Sequence, residues 1–231
     1  MFKIDLHVHT VKGSSDSSLL PQQLIEESQR IGLDGVCLTE HGGGWNDVSI
    51  DREFAESGLI VIPALEVTTD LGHVIAIGLE THYPGIHKIE ILRKVVDEKG
   101  GVLISAHPLR NFFNAPPYNL NLLYKNWNTA PTTPLEAAKH ELFSQVDYIE
   151  VTNGANSDKE NSFTLEIAKL LGVSGTGGSD SHSTQGLGKS LTVFENPITS
   201  KDSLIRELKS GAFYAAEGLN VGNLRKYNGS E

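Results

Sequence analysis

The chain has 231 residues, 39% of them hydrophobic, with 29 acidic side chains against 19 basic ones and a formal charge of −10. That length suits one α/β barrel or two small domains. The acidic balance excludes the basic stripe that a long nucleic acid needs, but not a small phosphorylated substrate, because bound cations reverse a local field. No apolar run reaches the roughly 18 residues of a membrane span, no basic-then-apolar leader opens the chain, and a single cysteine, Cys37, excludes an internal disulfide framework. A cytoplasmic protein without a membrane partner is expected, and nothing in the composition opposes self-association.

The first strand is expected over residues 3–8, where Phe2, Ile4, Leu6 and Val8 alternate with other residues. His7 and His9 stand two apart and so leave the same face. Two imidazoles on a rigid backbone are half of a metal site. Asp16 follows in the loop. A helix over 21–31 has Leu24, Ile25, Ser28 and Ile31 on one face, Pro21 in its first turn and Gly32 to close it. The strand 35–39 packs Cys37 in an apolar run and ends in Glu40-His41. A helix over 50–57 leads to a strand over 59–67. That strand carries Glu66 among apolar neighbours, where an unpaired carboxylate is expensive. His73 opens the strand 74–79. A helix over 86–99 precedes the strand 102–105, which runs into His107-Pro108 with Arg110 just beyond.

The segment 111–134 breaks the alternation. It is rich in Asn, Pro, Thr and aromatic residues, and its length and position after His107 predict a lid or a wall of a substrate pocket. A helix over 134–144, the strand 148–152 ending at Asn153, a helix over 162–171 and a strand over 174–176 follow. Ser179-Asp180-Ser181-His182 stands at that last strand's end. A strand over 191–194 and a helix over 201–210 complete the domain, taken as residues 1–220, and the tail 221–231 is expected to fray. His82, His87 and His140 are expected on the surface.

Repeated strand-then-helix units imply a mostly parallel sheet, closed into a compact barrel more than left open. In such a barrel the strand ends share one face, so His7, His9, Asp16, His41, Glu66, His73, His107, Asp180 and His182 converge. Imidazole and carboxylate without thiolate suits Zn, Mn or Fe. Nine ligands exceed one ion's needs, so two to three divalent ions with a bridging carboxylate are expected. A pair about 3.5–4 Å apart is the arrangement for in-line displacement at phosphate.

Asp5-Leu6-His7-Val8-His9-Thr10, Thr39-Glu40-His41, Glu66, His107-Pro108 and Ser179-Asp180-Ser181-His182 resemble, in order, the motifs of the PHP (polymerase and histidinol phosphatase) family. The resemblance implies a distorted (β/α)7 TIM-like barrel and a trinuclear site. His7, His9, Glu66 and Asp180 would hold the first ion. Glu66 would bridge to a second, completed by His73 and His107, and Asp16, His41 and His182 would hold the third. The run from His73 to Gly78 resembles the branch acting on nucleoside bisphosphates and short oligonucleotides, but the extra domain of that branch is missing. Glu40 stands where the family usually has Asp.

The expected activity is hydrolysis of a small phosphomonoester or phosphodiester (a nucleotide, short oligonucleotide, sugar phosphate or histidinol-phosphate-like compound) by metal-bound hydroxide. Glu66 and Asp180 would organise the reacting centre. His182 is one candidate for the leaving-group proton, and Arg110 either clamps a phosphate or is a surface residue near a loop. The alternatives are a metal-dependent amidohydrolase acting on a C–N bond and a non-catalytic, metal-stabilised binding module.

Overall fold

The computed structural model describes residues 1–229. In chain order the elements are β1 (Phe2–Val8), α1 (Pro21–Ile31), β2 (Gly35–Glu40), α2 (Asp47–Phe54), β3 (Ile60–Thr69), β4 (Gly72–Ile77), α3 (Ile89–Glu98) and β5 (Val102–Ser105). They continue with α4 (Pro134–Ala137), β6 (Tyr148–Asn153), α5 (Asp158–Leu171), β7 (Gly175–Gly178), β8 (Ser190–Phe194), α6 (Lys201–Ser210), β9 (Phe213–Glu217) and β10 (Arg225–Lys226). No described helix is long and apolar enough to cross a membrane.

Local signals account for most helix ends. Gly32 closes α1 in the left-handed conformation at φ 73°, which costs glycine least. Ser157 and Glu160 exchange side-chain and backbone bonds in a capping box, so α5 begins at Asp158 instead of residue 162. Asn46 Oδ1 accepts from the Ser49 amide at 2.9 Å, which starts α2 at Asp47 instead of residue 50. The start of α3 at Ile89 instead of residue 86 is set from outside the helix, where Asp70 Oδ1 accepts from the Ile89 amide at 3.0 Å.

Ten strands form one sheet in the order β10-β9-β8-β1-β2-β3-β4-β5-β6-β7. The pairs β1–β2, β2–β3, β5–β6 and β6–β7 are parallel, whereas β3–β4, β4–β5 and every pairing of β8 are antiparallel. The α/β class and the curl agree with expectation. The distorted (β/α)7 barrel is met only in part: β3 and β4 form a hairpin that turns at Asp70 and Leu71 with Gly72 at φ 114°, and β9 and β10 extend the far edge.

The curl brings the residues after β7 back to β1. His9 N donates to Ser181 O at 2.9 Å and Asp180 N to His7 O at 2.8 Å, beside a parallel bridge between Val8 and Ser181. β8 flanks the first half of β1, and this loop flanks its second half. The approach is close because β7 is nearly all glycine. A Cβ on Gly178 would lie 2.5 Å from both the His7 side chain and Glu150 Oε1.

Apolar residues from alternate strand positions fill the interior, among them Ile4, Leu6, Ile62, Ile75, Ile104 and Phe194, with Leu204 and Leu208 of α6 packed on them. Two expectations about the periphery are corrected. His140 is 6% exposed, its ring stacked on Trp127, because segment 111–134 folds over it. The tail does not fray from residue 221: Arg225 and Lys226 pair with β9, and Tyr227 is buried with its amide bonded to Ala215 O. Residues 230–231 of that tail lie outside the described residues.

Candidate metal centre

All nine residues proposed as ligands meet at one place. β1 delivers His7 and His9, β3 Glu66, the start of β4 His73, and the ends of β2, β5 and β7 deliver His41, His107 and the Asp180–His182 pair. Two of these residues hold backbone angles that side chains rarely adopt, His107 at φ 28° and Asp180 at φ 54°. Such strain survives only where surrounding structure enforces it, and it concentrates at functional sites.

The most deeply buried group is His7, His9, Glu66 and Asp180. His7 Nε2 lies 3.3 Å from Glu66 Oε2 and 3.4 Å from Asp180 Oδ1; His9 Nε2 lies 3.3 and 3.2 Å from the same two oxygens. A tetrahedron with arms of about 2.0–2.1 Å has edges of about 3.3–3.4 Å, the spacing Zn-like ions impose. Neither His7 Nε2 nor His9 Nε2 has a hydrogen-bond partner, although both are buried. Such orphans are rare and call for an explanation. A divalent cation fits the group: it would engage both lone pairs and offset two carboxylates.

Glu66 faces two ways. Its Oε2 belongs to that group, while Oε1 lies 2.7 Å from His73 Nδ1 and 2.9 Å from His107 Nε2. A third set stands toward the mouth, where Asp16 Oδ2 lies 3.5 Å from His41 Nε2 and 3.3 Å from His182 Nε2. The His9 ring stacks on both of those imidazoles, so it stands between the first set and the third.

The electrostatics show how strongly the site demands positive charge. Burial alone would lift the Glu66 carboxyl, but His7, His107 and His73 hold it well below the usual carboxylate range. Burial opposes a charge on His7, yet Asp180, Glu150 and Glu66 together raise its pKa well above the usual imidazole value. Asp180 is likewise held low against burial, by His7, His9 and Arg110.

A supporting layer fixes the ring orientations. Glu150 Oε1 lies 3.0 Å from His7 Nδ1, while its Oε2 accepts from His107 N at 2.7 Å and Asn153 Nδ2 at 2.9 Å. A proton on Nδ1 leaves Nε2 as the free lone pair. Glu150 was not singled out from sequence, although it shows the same signal as Glu66: a carboxylate inside an apolar strand. Ser14 Oγ lies 3.0 Å from His9 Nδ1 and donates to Glu40 Oε2 at 2.6 Å. Glu40 also accepts from Thr10 and, at 2.9 Å, from Trp45 Nε1. Glu40 therefore stands behind the ligand sets and reaches His9 and the His41 amide through Ser14.

Arg110 is neither free nor a bystander. Its Nη1 lies 2.5 Å from Asp180 Oδ2, Nη2 donates to Asn153 Oδ1 at 2.8 Å and Nε to Asn156 Oδ1 at 3.2 Å. The guanidinium is thus fixed beside the centre, and Asn153 joins it to Glu150.

Comparison with known proteins places this geometry in context. A PHP-associated family model matches residues 158–213. An uncharacterized protein of Methanocaldococcus jannaschii is 29% identical over 119 residues, which are 46% of this chain and 67% of that protein. An error-prone DNA polymerase of Nocardia farcinica is 30% identical over 64 residues, 28% of this chain but only 6% of the polymerase. Among solved structures, a candidate metal-dependent phosphoesterase from Bifidobacterium adolescentis superposes with TM-score 0.55 at 18% identity, covering 89% of this chain and 95% of that one. An amidohydrolase from Chromobacterium violaceum, solved with sulfate and no metal, superposes with TM-score 0.59 at 17% identity, covering 90% and 96%. At these identities the structural likeness bears on the fold alone.

Proposed function

We propose that the chain is a PHP-type, metal-dependent hydrolase of a small phosphomonoester or phosphodiester, a reading supported by the PHP-associated match over residues 158–213. The observation that carries this reading is Glu66, whose two carboxylate oxygens face two different sets of imidazoles. A shared carboxylate is the arrangement for two adjacent cations, which suits displacement at phosphorus. When bound, the ions supply an acidified water and positive charge for the phosphoryl oxygens.

The protein's own groups have separable tasks in this reading. His7, His9, Glu66 and Asp180 hold the first ion, Glu66, His73 and His107 the second, and Asp16, His41 and His182 a third. Zn, Mn and Fe all suit these donors. Glu150 and Ser14 set the imidazole rings, and Arg110 holds Asp180 in place while adding a positive charge to the wall. In the reaction an oxygen from water joins phosphorus and the ester P–O bond breaks. The departing alkoxide takes a proton from water, because His182 turns Nε2 to the third set and its Nδ1 lies 3.0 Å from Asp180 O.

The second reading is C–N hydrolysis, since the fold is shared with the Chromobacterium violaceum amidohydrolase. Amidohydrolases with a His-x-His first strand commonly bridge their metals with a modified lysine, and Glu66 in the bridging place weighs against that reading. A metal-reconstituted screen over nucleotides, short oligonucleotides, sugar phosphates, histidinol phosphate and cyclic amides decides between them. The proposal expects phosphate or phosphomonoester release, lost in Asp180→Asn, which keeps a residue tolerant of positive φ. Amide hydrolysis without phosphoester hydrolysis would reject it.

A further inference from the structure

Beside the second ligand set lies a pocket of about 110 Å3 that the metal chemistry does not use. His73, His107 and Arg110 line it on the side of the centre, and Leu120, Leu122, Leu123, Leu142, Ala106 and Pro108 make most of the remainder, with Gly72, Asn111 and Asn121 between them. Three of those leucines come from segment 111–134. Leu120 is 72% exposed and Leu122 39%, an unusual display of large apolar side chains next to a polar site.

The wall is held in place. Asn121, buried, donates from Nδ2 to Pro108 O at 2.8 Å and Arg110 O at 3.0 Å, and its Oδ1 accepts from the amides of Leu123 at 3.1 Å and Tyr124 at 3.0 Å. One amide thus uses both donors and both lone pairs to join the segment to the strand end that carries His107. Tyr124 is fixed in turn by its hydroxyl on Ala137 O at 2.8 Å. The charged groups at the pocket are already engaged: Arg110 by Asp180, Asn153 and Asn156, and His73 and His107 by Glu66. The opposite flank of the centre differs, a space of about 280 Å3 bordered by His41, Thr68, His82 and His87.

We propose that this pocket receives the organic part of the substrate and selects an uncharged, apolar group of about four to six carbons. A dry apolar cavity of about 150 Å3 accommodates a benzene ring, so the smaller pocket takes a branched alkyl group or part of one ring. Sugars and other polyols would set most of their hydroxyls against leucine, beside an Asn121 whose bonds are already taken. The inference rests on the phosphoesterase reading for its reaction, in which water and the phosphoester give the free alcohol and phosphate. It does not rest on it for binding.

The test uses metal-loaded protein with isobutyl phosphate, methyl phosphate and glycerol 1-phosphate, whose alcohols leave with similar difficulty, and calorimetric binding of isobutylphosphonate and methylphosphonate. Wild type should favour the isobutyl compounds at least tenfold in kcat/KM and in affinity. Leu122→Trp, which plugs the pocket from a partly exposed position, should remove that preference and leave methyl compounds within about twofold. Leu120→Trp is the second plug should the first lower the melting temperature. Equal handling of all three esters, or a preference that survives both plugs, overturns the pocket assignment and leaves the phosphoesterase standing. Selective isobutylphosphonate binding with no phosphoester turnover keeps the pocket and removes the phosphoesterase. Equal phosphonate affinities without turnover overturn the pocket.

Discussion

Replacing Glu150 by glutamine separates metal affinity from folding. Oε2 of Glu150 serves two donors, His107 N at 2.7 Å and Asn153 Nδ2 at 2.9 Å, and Oε1 faces His7 Nδ1 at 3.0 Å. Glutamine has one oxygen, and two donors against one place it at the Oε2 position. Its NH2 then points at His7 Nδ1, which must accept. The His7 proton moves to Nε2, the atom 3.3 Å from Glu66 Oε2 and 3.4 Å from Asp180 Oδ1, and the lone pair a cation needs is gone. Loss of such a supporting partner typically costs 10–100-fold in metal affinity, or about 1.4–2.7 kcal/mol. The number of hydrogen bonds is unchanged, but one of the carboxylates that favour a charged His7 is lost, so the metal-free variant should unfold about 1–3 kcal/mol more readily than wild type. Glu150→Ala strands three buried donors and should cost about 3–6 kcal/mol. Competition with a chromophoric chelator measures the first quantity and urea denaturation of stripped protein the second. Wild-type metal affinity in Glu150→Gln would refute the proposed role of the tautomer.

Three further outcomes follow from the packing. Asn121→Ala removes four hydrogen bonds at a buried position and should lower stability by about 2–4 kcal/mol in urea, with faster proteolysis inside 111–134; unchanged stability would mean the segment is held by its aromatic cluster alone. Cys37 is fully buried and burial pushes its thiol up, so iodoacetamide at pH 8 should label it only as fast as the protein unfolds. Rapid labelling of folded protein would contradict the packing. Phe194→Ala should cost about 3–5 kcal/mol, read as a fall in melting temperature, because the side chain lies wholly inside the sheet's core.

The cluster of candidate ligands is legible in the sequence because its members carry local marks of their own. His7 and His9 share one face of a strand, Glu66 interrupts an apolar run, and Asp180 sits in a Gly-Ser turn. The curl of the sheet then needed only to bring strand ends together. Features that depend on a distant partner were not legible. The Asp70 cap on α3, the antiparallel hairpin of β3 and β4, and the return of the tail onto β9 have no marker within their own few residues. His140 looked like a surface histidine because the aromatic cover that buries it comes from a segment with no regular periodicity. Glu150 is the instructive omission. It repeats the signal of Glu66, but a carboxylate that supports a ligand and one that is a ligand look alike until the distance to the imidazole is known.

The central claim is that Glu66 is shared between two cations and that hydrolysis of a phosphoester depends on both. Titrating chelator-stripped protein with Zn, Mn or Fe while following phosphate release tests it most directly. The account predicts binding of between two and three ions per chain, activity that rises with the second ion, and loss of that second step in Glu66→Gln. Full activity at one ion per chain, or in stripped protein, would contradict it.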